Sequence, residues 1–130
     1  MNESKEHAIL DTRCSSTVCG IIWCTDYIND LTDHDRSKIS EENSSKTFTF
    51  GNGVAVASMK RVTIPCFVAG LRSEIITDVV DCDIPLLLSK DAMKRANMVL
   101  RFRDDTVTVN NLPVKLDTST SGHYMLPISM

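Results

Sequence analysis

The sequence has no long apolar run and no excess of positive charge. No segment approaches the ~20 consecutive apolar residues that a membrane-spanning helix needs, so we expect no contact with a membrane. The 14 basic and 17 acidic residues give a net charge of -3 and are spread along the chain. Because no basic face is available to neutralise a phosphate backbone, we also expect no nucleic-acid ligand.

The sequence also lacks the cysteine pairs that zinc sites use. Cys14, Cys19 and Cys24 follow one another without a CxxC pair, and the three histidines are not paired. The polar start MNESKEHA is not followed by an apolar secretory segment, and the total of five cysteines is odd. We therefore expect no metal, no cofactor, reduced thiols and an intracellular, cytoplasmic protein.

What the sequence does have is enough apolar surface for one core. Its 130 residues and 42% hydrophobic content lie in the range of single domains. We expect a polar N-terminal segment over residues 1–7 and one domain over residues 8–130. No linker and no repeat of fixed period divides the sequence.

Three stretches have helical patterns. In the first, apolar residues recur every three or four positions, and Trp23 and Tyr27 are expected to pack against the core. Thr32 or Asp33 is placed to cap the second helix, and Ser89 is placed to cap the third. The predicted helices are GIIWCTDYINDL, DHDRSKISEE and KDAMKRAN.

The rest of the sequence has the composition of β-strands separated by turns. Residues 51–53 divide two alternating runs and predict a hairpin, because glycine and asparagine tolerate the positive φ angles of its turn. Further turns are expected near Gly70 and at residues 104–105 and 110–111. The chain is therefore predicted to be mainly β, with an early helical insert and one short late helix. The strand segments are KTFTFGNGVAVAS, RVTIPCFVAG, SEIITDVVDCDIPLLLS, MVLRFRDDTVTVNNLPVKL and SGHYMLPISM.

Asp11 follows three apolar residues and precedes a turn-rich stretch, so it is expected at the end of a buried strand. Two roles are open for it. Asp11 is a turn aspartate bonded to its own backbone, or it is a reactive carboxylate. Two adjacent carboxylates share one proton, so one activates water while the other protonates a scissile carbonyl, as in aspartic proteases.

Two other side-chain groups resemble nucleophile sites and are not expected to act as such. Ser121 and His123 lie close in sequence, but no glycine-framed nucleophile elbow surrounds the serine. Cys14 lies beside the Asp11 turn, where a cysteine is expected to pack as a small apolar residue. Asp11 therefore remains the candidate for chemistry.

Three stretches, in this order, resemble the retropepsin-type aspartic protease domain of gypsy-like retrotransposon polyproteins. AILDTRCSSTVCG is similar to the family motif of two apolar residues followed by Asp-Thr-Gly-Ala/Cys-Ser. FTFGNGVAVAS stands in the place of the flap hairpin, and DIPLLLSKDAMKRA is similar to the apolar run and short helix that close the family's fold. The resemblance extends from about residue 8 to residue 128.

The resemblance implies a closed, β-barrel-like acid-protease fold that works as a homodimer. Asp11 of each chain would form the catalytic dyad, and Thr12 would brace the two loops across the dimer axis. The presence of a single Asp-Thr turn of this kind in the chain agrees with a dimer. The substrate would be a peptide or a retrotransposon polyprotein, bound beneath a mobile hairpin tip. The substrate-binding residues implied are Gly51, Asn52, Gly53 and Val54.

Two residues depart from the family pattern. Arg13 replaces the motif glycine, and Ser89 stands where many members have glycine. A left-handed backbone at Arg13 would cost roughly 1–2 kcal/mol. A guanidinium within ~4–6 Å of Asp11 would lower the pKa of that carboxyl and remove the proton that the dyad shares.

The family also has a strand before the one that carries its aspartate, whereas only seven polar-rich residues precede Ala8. Two hypotheses therefore stay open. The chain is an aspartic endopeptidase domain, or it is an inactive remnant of the same fold that acts as a dimerisation or peptide-binding module.

Overall fold

The computed structural model describes residues 6–51 and 53–129. Within these residues the protein is mainly β, as predicted, with twelve strands and three short helices, none of them long and apolar enough to cross a membrane. The helices are α1 (Ile21–Asn29), α2 (Asp33–Arg36) and α3 (Lys90–Arg95). The strands are β1 (His7–Asp11), β2 (Val18–Gly20), β3 (Ser40–Glu42), β4 (Thr47–Thr49), β5 (Ala55–Val68), β6 (Leu71–Val80), β7 (Leu87–Ser89), β8 (Met98–Arg101), β9 (Thr106–Val109), β10 (Leu112–Lys115), β11 (Asp117–Thr118) and β12 (Tyr124–Pro127).

Nine of the strands form one mixed sheet. Its order is β11-β12-β1-β7-β2-β6-β5-β3, and β4 pairs with the first part of β5. The strand β7 lies between β1, to which it is parallel, and β2, to which it is antiparallel. The remaining strands form a separate antiparallel sheet in the order β10-β9-β8.

The large sheet is open, which corrects the closed barrel that the sequence predicted. Its two edge strands are β11 and β3, and no ladder joins them within the described residues. Both are short and their residues are exposed, so they offer little apolar surface for closure. Residues of α1 and of the three-stranded sheet join the main hydrophobic core instead, among them Trp23 and Val107.

The long hairpin of β5 and β6 confirms the predicted turn near Gly70. Ala69 and Gly70 both have positive φ, at 55° and 76°. Two runs that the sequence predicts as separate segments form the single strand β5, whose register shifts at a bulge between Ser58 and Lys60. Conversely, the run that begins at Ser73 divides into β6 and β7.

The helix α1 packs on the core through its aromatic residues, as predicted. The rings of Trp23 and Tyr27 stack with their centroids 5.0 Å apart, and both residues are buried. The Tyr27 hydroxyl donates a hydrogen bond to the Pro65 carbonyl oxygen at 2.8 Å, which ties α1 to β5. Burial, the larger cause, and the neighbouring Cys66 and Asp35 raise the pKa of Tyr27.

The start of α1 depends on a glycine. Gly20 donates its N–H to the Ile84 carbonyl oxygen at 3.1 Å, so the two backbones lie side by side. A Cβ at residue 20 would lie 2.1 Å from the Cys82 carbonyl oxygen. No side chain fits between these segments, and this close approach positions β2 and α1 against the chain that enters β7.

The cap of α2 is the predicted Thr32, whose side chain accepts a hydrogen bond from the Asp35 N–H at 3.2 Å. The helix nevertheless ends at Arg36, four residues before β3, whereas the sequence predicted a helix through residues 33–42. Residues 40–42 pair with β5 because ladder hydrogen bonds, and an ion pair of 3.3 Å between Glu41 and Lys60, outweigh local helix preference.

An ion pair fixes α2 to β6. Arg72 Nη1 lies 2.5 Å from Asp35 Oδ1, and its guanidinium lies 4.8 Å from the centre of the Phe67 ring. The hydrogen bond from Arg72 is the largest cause that lowers the pKa of the Asp35 carboxyl.

Candidate active site

Asp11 is the last residue of β1, as predicted, and is half-buried. It lies in register with Ser89, the last residue of β7. Its Oδ1 accepts a hydrogen bond from the Arg13 N–H at 3.0 Å, which is the turn-aspartate role. The second carboxylate oxygen accepts no hydrogen bond from any residue in the described part of the chain. The two roles are therefore compatible, since one oxygen holds the turn and the other has no hydrogen-bond partner among the described residues.

The turn after Asp11 presents two side chains outward. Thr12 and Arg13 are both exposed. Arg13 is absent from the residues with positive φ, so its Cβ carries no left-handed penalty. Its guanidinium makes no ion pair with Asp11 or with any other carboxylate among residues 6–51 and 53–129.

A cavity of about 340 Å³ lies between this turn and the hairpin that contains β4. Asp11, Arg13 and Ser15 line one side of it. The hairpin lines the other side with residues 47–51. Asp11 and Arg13 are the charged side chains of this lining within the described residues, so one copy of the chain brings one carboxylate to the cavity.

The hairpin that faces Asp11 has the predicted turn. Gly51 lines the cavity, and Gly53, with φ of 78°, donates its N–H to the Phe50 carbonyl oxygen at 2.8 Å. Val54 is 55% exposed and, like Gly53, is not part of the cavity lining. Asn52 lies outside the described residues. Of the three predicted residues that the structure describes, Gly51 therefore lines the same cavity as Asp11.

The predicted site omitted the side chains of β4 and its flank. Phe48 and Phe50 both line the cavity, and their rings stack with centroids 6.3 Å apart. Their alternation with Thr47 and Thr49 was visible in the sequence. Which face of β4 would turn toward Asp11 was not visible, because it depends on how the hairpin folds back on the sheet.

Ser89, the second departure from the family pattern, is a structural residue beside Asp11. Its hydroxyl accepts hydrogen bonds from the Thr17 hydroxyl and from the Ala92 N–H, both at 3.1 Å. The Thr17 hydroxyl in turn accepts the Ser89 N–H at 3.1 Å. Ser89 and Thr17 are both buried, so this closed set of hydrogen bonds joins β7, the start of α3 and the segment that follows the Asp11 turn.

Cys14 packs as a small apolar residue, as predicted. It lies against a small apolar cluster that contains Val18 and Phe48, and its thiol donates to the Ser16 carbonyl oxygen at 2.9 Å. Burial is the larger cause that raises the pKa of this thiol, and the charge of Asp11 is the next. A thiol with a raised pKa stays protonated, so it is a poor nucleophile.

Ser121 and His123 form a hydrogen bond, with Ser121 Oγ and His123 Nδ1 2.9 Å apart. Both lie in the exposed turn between β11 and β12, with Ser119 bonded to the same serine at 3.0 Å. The described residues also contain no group of three or more histidine, cysteine or acidic side chains that could hold a metal ion. The cavity beside Asp11 therefore remains the candidate site.

Comparison with known proteins gives a match of fold. No protein-family model matches the sequence, and no curated protein sequence matches it significantly. The structure is similar to the crystal structure of the retroviral protease-like domain of Ddi1 from Leishmania major, with a TM-score of 0.50 and 16% sequence identity. The match covers 83% of this chain and 81% of that chain. The chain therefore has a retroviral protease-like fold.

Proposed function

We propose that the domain formed by residues 8–130 is a retropepsin-like aspartic endopeptidase that acts as a homodimer, with Asp11 of each copy as the catalytic pair. The observation that carries this proposal is the position of Asp11. It ends a core strand, and it borders a cavity of about 340 Å³ whose far wall is a hairpin. A carboxylate with one uncommitted oxygen at such a wall is suited to acid–base chemistry on a bound peptide.

The second copy is needed because the cavity of one chain holds one carboxylate. When two Asp11 groups face each other across a two-fold axis, they share one proton. The ionised carboxylate removes a proton from water as the water oxygen attacks the scissile carbonyl carbon. The protonated carboxyl gives its proton to the carbonyl oxygen, and a tetrahedral diol results. The carboxyl that took the proton from water then passes it to the amide nitrogen, and the other carboxylate removes a proton from the diol. The C–N bond breaks, a carboxylic acid and an amine leave, and the dyad again shares one proton.

Thr12 and the hairpin tip have supporting roles in this proposal. Thr12 is exposed at the turn, where its hydroxyl is available to a second copy. The tip, Gly51–Val54, closes over the extended peptide and excludes water from the dyad. The substrate is a peptide segment of a polyprotein, and processing of a retrotransposon polyprotein is the biological setting that the sequence resemblance favours.

The backbone and side chain of Arg13 bear on the alternative function, an inactive dimerisation or peptide-binding module. The backbone of Arg13 is not left-handed, and its guanidinium makes no ion pair with the Asp11 of its own chain. Within one copy, the described residues therefore show neither a left-handed Arg13 backbone nor a direct ion pair between Arg13 and Asp11. These observations favour the enzyme.

The test compares cleavage of a mixed peptide library at acidic and neutral pH by three proteins. We expect the unaltered chain to cleave, Asp11→Asn to lose cleavage, and the matched control Asp104→Asn, in the turn after β8, to keep it. Asparagine cannot take up the proton of the attacking water, so the loss should be complete. Cleavage that survives in Asp11→Asn would refute the proposal.

A fourth protein, Arg13→Gly, separates the two candidate functions. If the unaltered chain is inactive and Arg13→Gly cleaves, the native chain is the inactive module. If both cleave, the arginine is compatible with catalysis.

A further inference from the structure

We propose that Arg13 makes this cleft select peptides with an acidic side chain near the scissile bond. This inference rests on the proposed function, since it concerns the substrate of the same site. It begins from a feature of this chain, namely that Arg13 lines the same cavity as the candidate catalytic carboxylate.

The guanidinium of Arg13 is available to a ligand. The residue is exposed, and no carboxylate within residues 6–51 and 53–129 pairs with it. Two other cations, Lys46 and Arg61, line a neighbouring cavity and already contact side chains of this chain. Lys46 Nζ lies 2.5 Å from Ser16 Oγ, and Arg61 Nη2 lies 3.4 Å from Asp78 Oδ2. Arg13 is therefore the cation of the cavity lining that a substrate carboxylate can approach.

The position of Arg13 restricts where the acidic residue can lie. Arg13 is two residues from Asp11, so their Cα atoms are at most about 7 Å apart. An extended peptide advances about 3.3 Å per residue. A carboxylate within about two residues of the bond cleaved therefore comes within reach. Because a two-fold dimer has one Arg13 on each side, the preference applies to a position on either side of that bond.

The chemistry of the pair favours a carboxylate over a neutral amide. A guanidinium donates two parallel N–H bonds to a carboxylate, and charge-assisted bonds of this kind are stronger than neutral ones. An exposed pair contributes little in water, but the hairpin that forms the other wall would cover it when it closes. The pair between Arg13 and the substrate carboxylate therefore adds most stabilisation in the closed complex, where cleavage occurs.

The test uses extended peptides that share one apolar core and carry Glu, Gln or Lys at one position, scanned from three residues before the cleaved bond to three after it. We expect kcat/KM for the Glu peptide to exceed that for its Gln partner by about tenfold or more at one or two positions, which corresponds to one charge-assisted hydrogen bond. The preference should fall as NaCl is raised, because salt screens the pair.

Variants assign the preference to Arg13. Arg13→Gln should remove it, and Arg13→Glu should reverse it in favour of the Lys peptide. The matched control Arg101→Gln, which removes an exposed arginine from β8, should leave it unchanged. A preference that persists in Arg13→Gln overturns the inference. The inference is also overturned if Arg13→Gln raises kcat/KM equally for the Glu and Gln peptides relative to the unaltered chain. Arg13 would then be pairing with the Asp11 of the second copy.

The outcomes separate this inference from the proposed function. Cleavage without any preference for Glu leaves the enzyme intact and overturns the role of Arg13. If nothing is cleaved, the proposed function fails, and fluorescence anisotropy with labelled forms of the same peptides decides the role of Arg13. Tighter binding of Glu than of Gln peptides, abolished in Arg13→Gln, supports acid recognition by a binding module, and equal binding overturns it.

Discussion

At the scale of single residues, Ser89 shows how a departure from a family pattern is accommodated. A glycine there would leave the Thr17 hydroxyl without its acceptor and α3 without its side-chain cap. The Ser89 hydroxyl is that acceptor and also caps α3. Its backbone has φ of -73° and ψ of 159°, which any residue can adopt. The substitution is therefore part of a consistent local structure.

Ser89→Ala should lower the free energy of unfolding by about 1–2 kcal/mol, because it removes a helix cap and leaves a buried hydroxyl partly unpaired. Urea unfolding measures this loss. Ser37→Ala, which removes an exposed hydroxyl at the end of α2, is the control and should change stability by less than about 0.5 kcal/mol. Equal effects of the two substitutions would contradict the structural role of Ser89.

Asp35 predicts a dependence of stability on acidity. Its pKa is lowered in the folded chain, chiefly by the hydrogen bond from Arg72. The unfolded chain therefore binds the proton more readily than the folded one, so the stabilisation is present above the ordinary aspartate pKa of about 3.9 and is lost as pH falls through the lower folded value. Urea unfolding of the unaltered chain and of Asp35→Asn is measured from pH 7 to pH 2.5. At neutral pH the unaltered chain should have the higher urea midpoint. A difference in urea midpoint that does not become smaller in acid would exclude a stabilising role for the ionised Asp35 carboxylate.

At the scale of elements, the sequence predicted the helix starts and turns, because neighbouring residues decide them. Caps at Thr32 and Ser89 marked the starts of two helices, and Asp105, Asn110 and Asn111 form the predicted turns with positive φ. The end of α2 and the strand β3 were not predictable, because they depend on pairing with distant residues of β5. Glu42 pairs with Arg61, 19 residues later, and Ser40 pairs with Thr63, 23 residues later. Local propensity carries no information about such pairing.

The same distinction holds for the candidate site. Asp11 and Gly51 were identified from short motifs, and the structure places both at one cavity. The contact between Thr17 and Ser89 spans 72 residues of sequence, so no local pattern could reveal it. The lining by Phe48 and Phe50 depends on the fold of the hairpin and was missed for the same reason.

The junction of β2 and α1 gives a prediction about elements. Gly20→Ala should lower the free energy of unfolding by about 1–3 kcal/mol or more, because its Cβ would overlap the Cys82 carbonyl oxygen. Gly51→Ala is the matched control for stability, since a Cβ there meets nothing within 4 Å and its φ is not positive. Urea unfolding of both variants tests the difference, and a neutral Gly20→Ala would show that the two segments can separate.

At the scale of the whole molecule, the proposed site, which needs two copies of the chain, would make activity depend on assembly. We expect the cleavage rate per chain to rise with protein concentration and to level off when sedimentation shows a dimer. Mixing the unaltered chain with excess Asp11→Asn should suppress cleavage, because mixed dimers hold one catalytic carboxylate. Excess Asp104→Asn should not suppress it. A rate per chain that stays constant where sedimentation shows only monomer would rule out the shared dyad.

The insertion of β7 between β1 and β2 has a consequence for how the protein matures. The strand that holds Asp11 in place on one side is made long after Asp11 itself, and contacts of such wide sequence separation form slowly. During synthesis the end of β1 therefore has no paired strand until residues 87–89 have left the ribosome. A product that stops earlier would carry the Asp11 motif without the strand that positions it, so the proposed activity would be confined to chains that extend past β7.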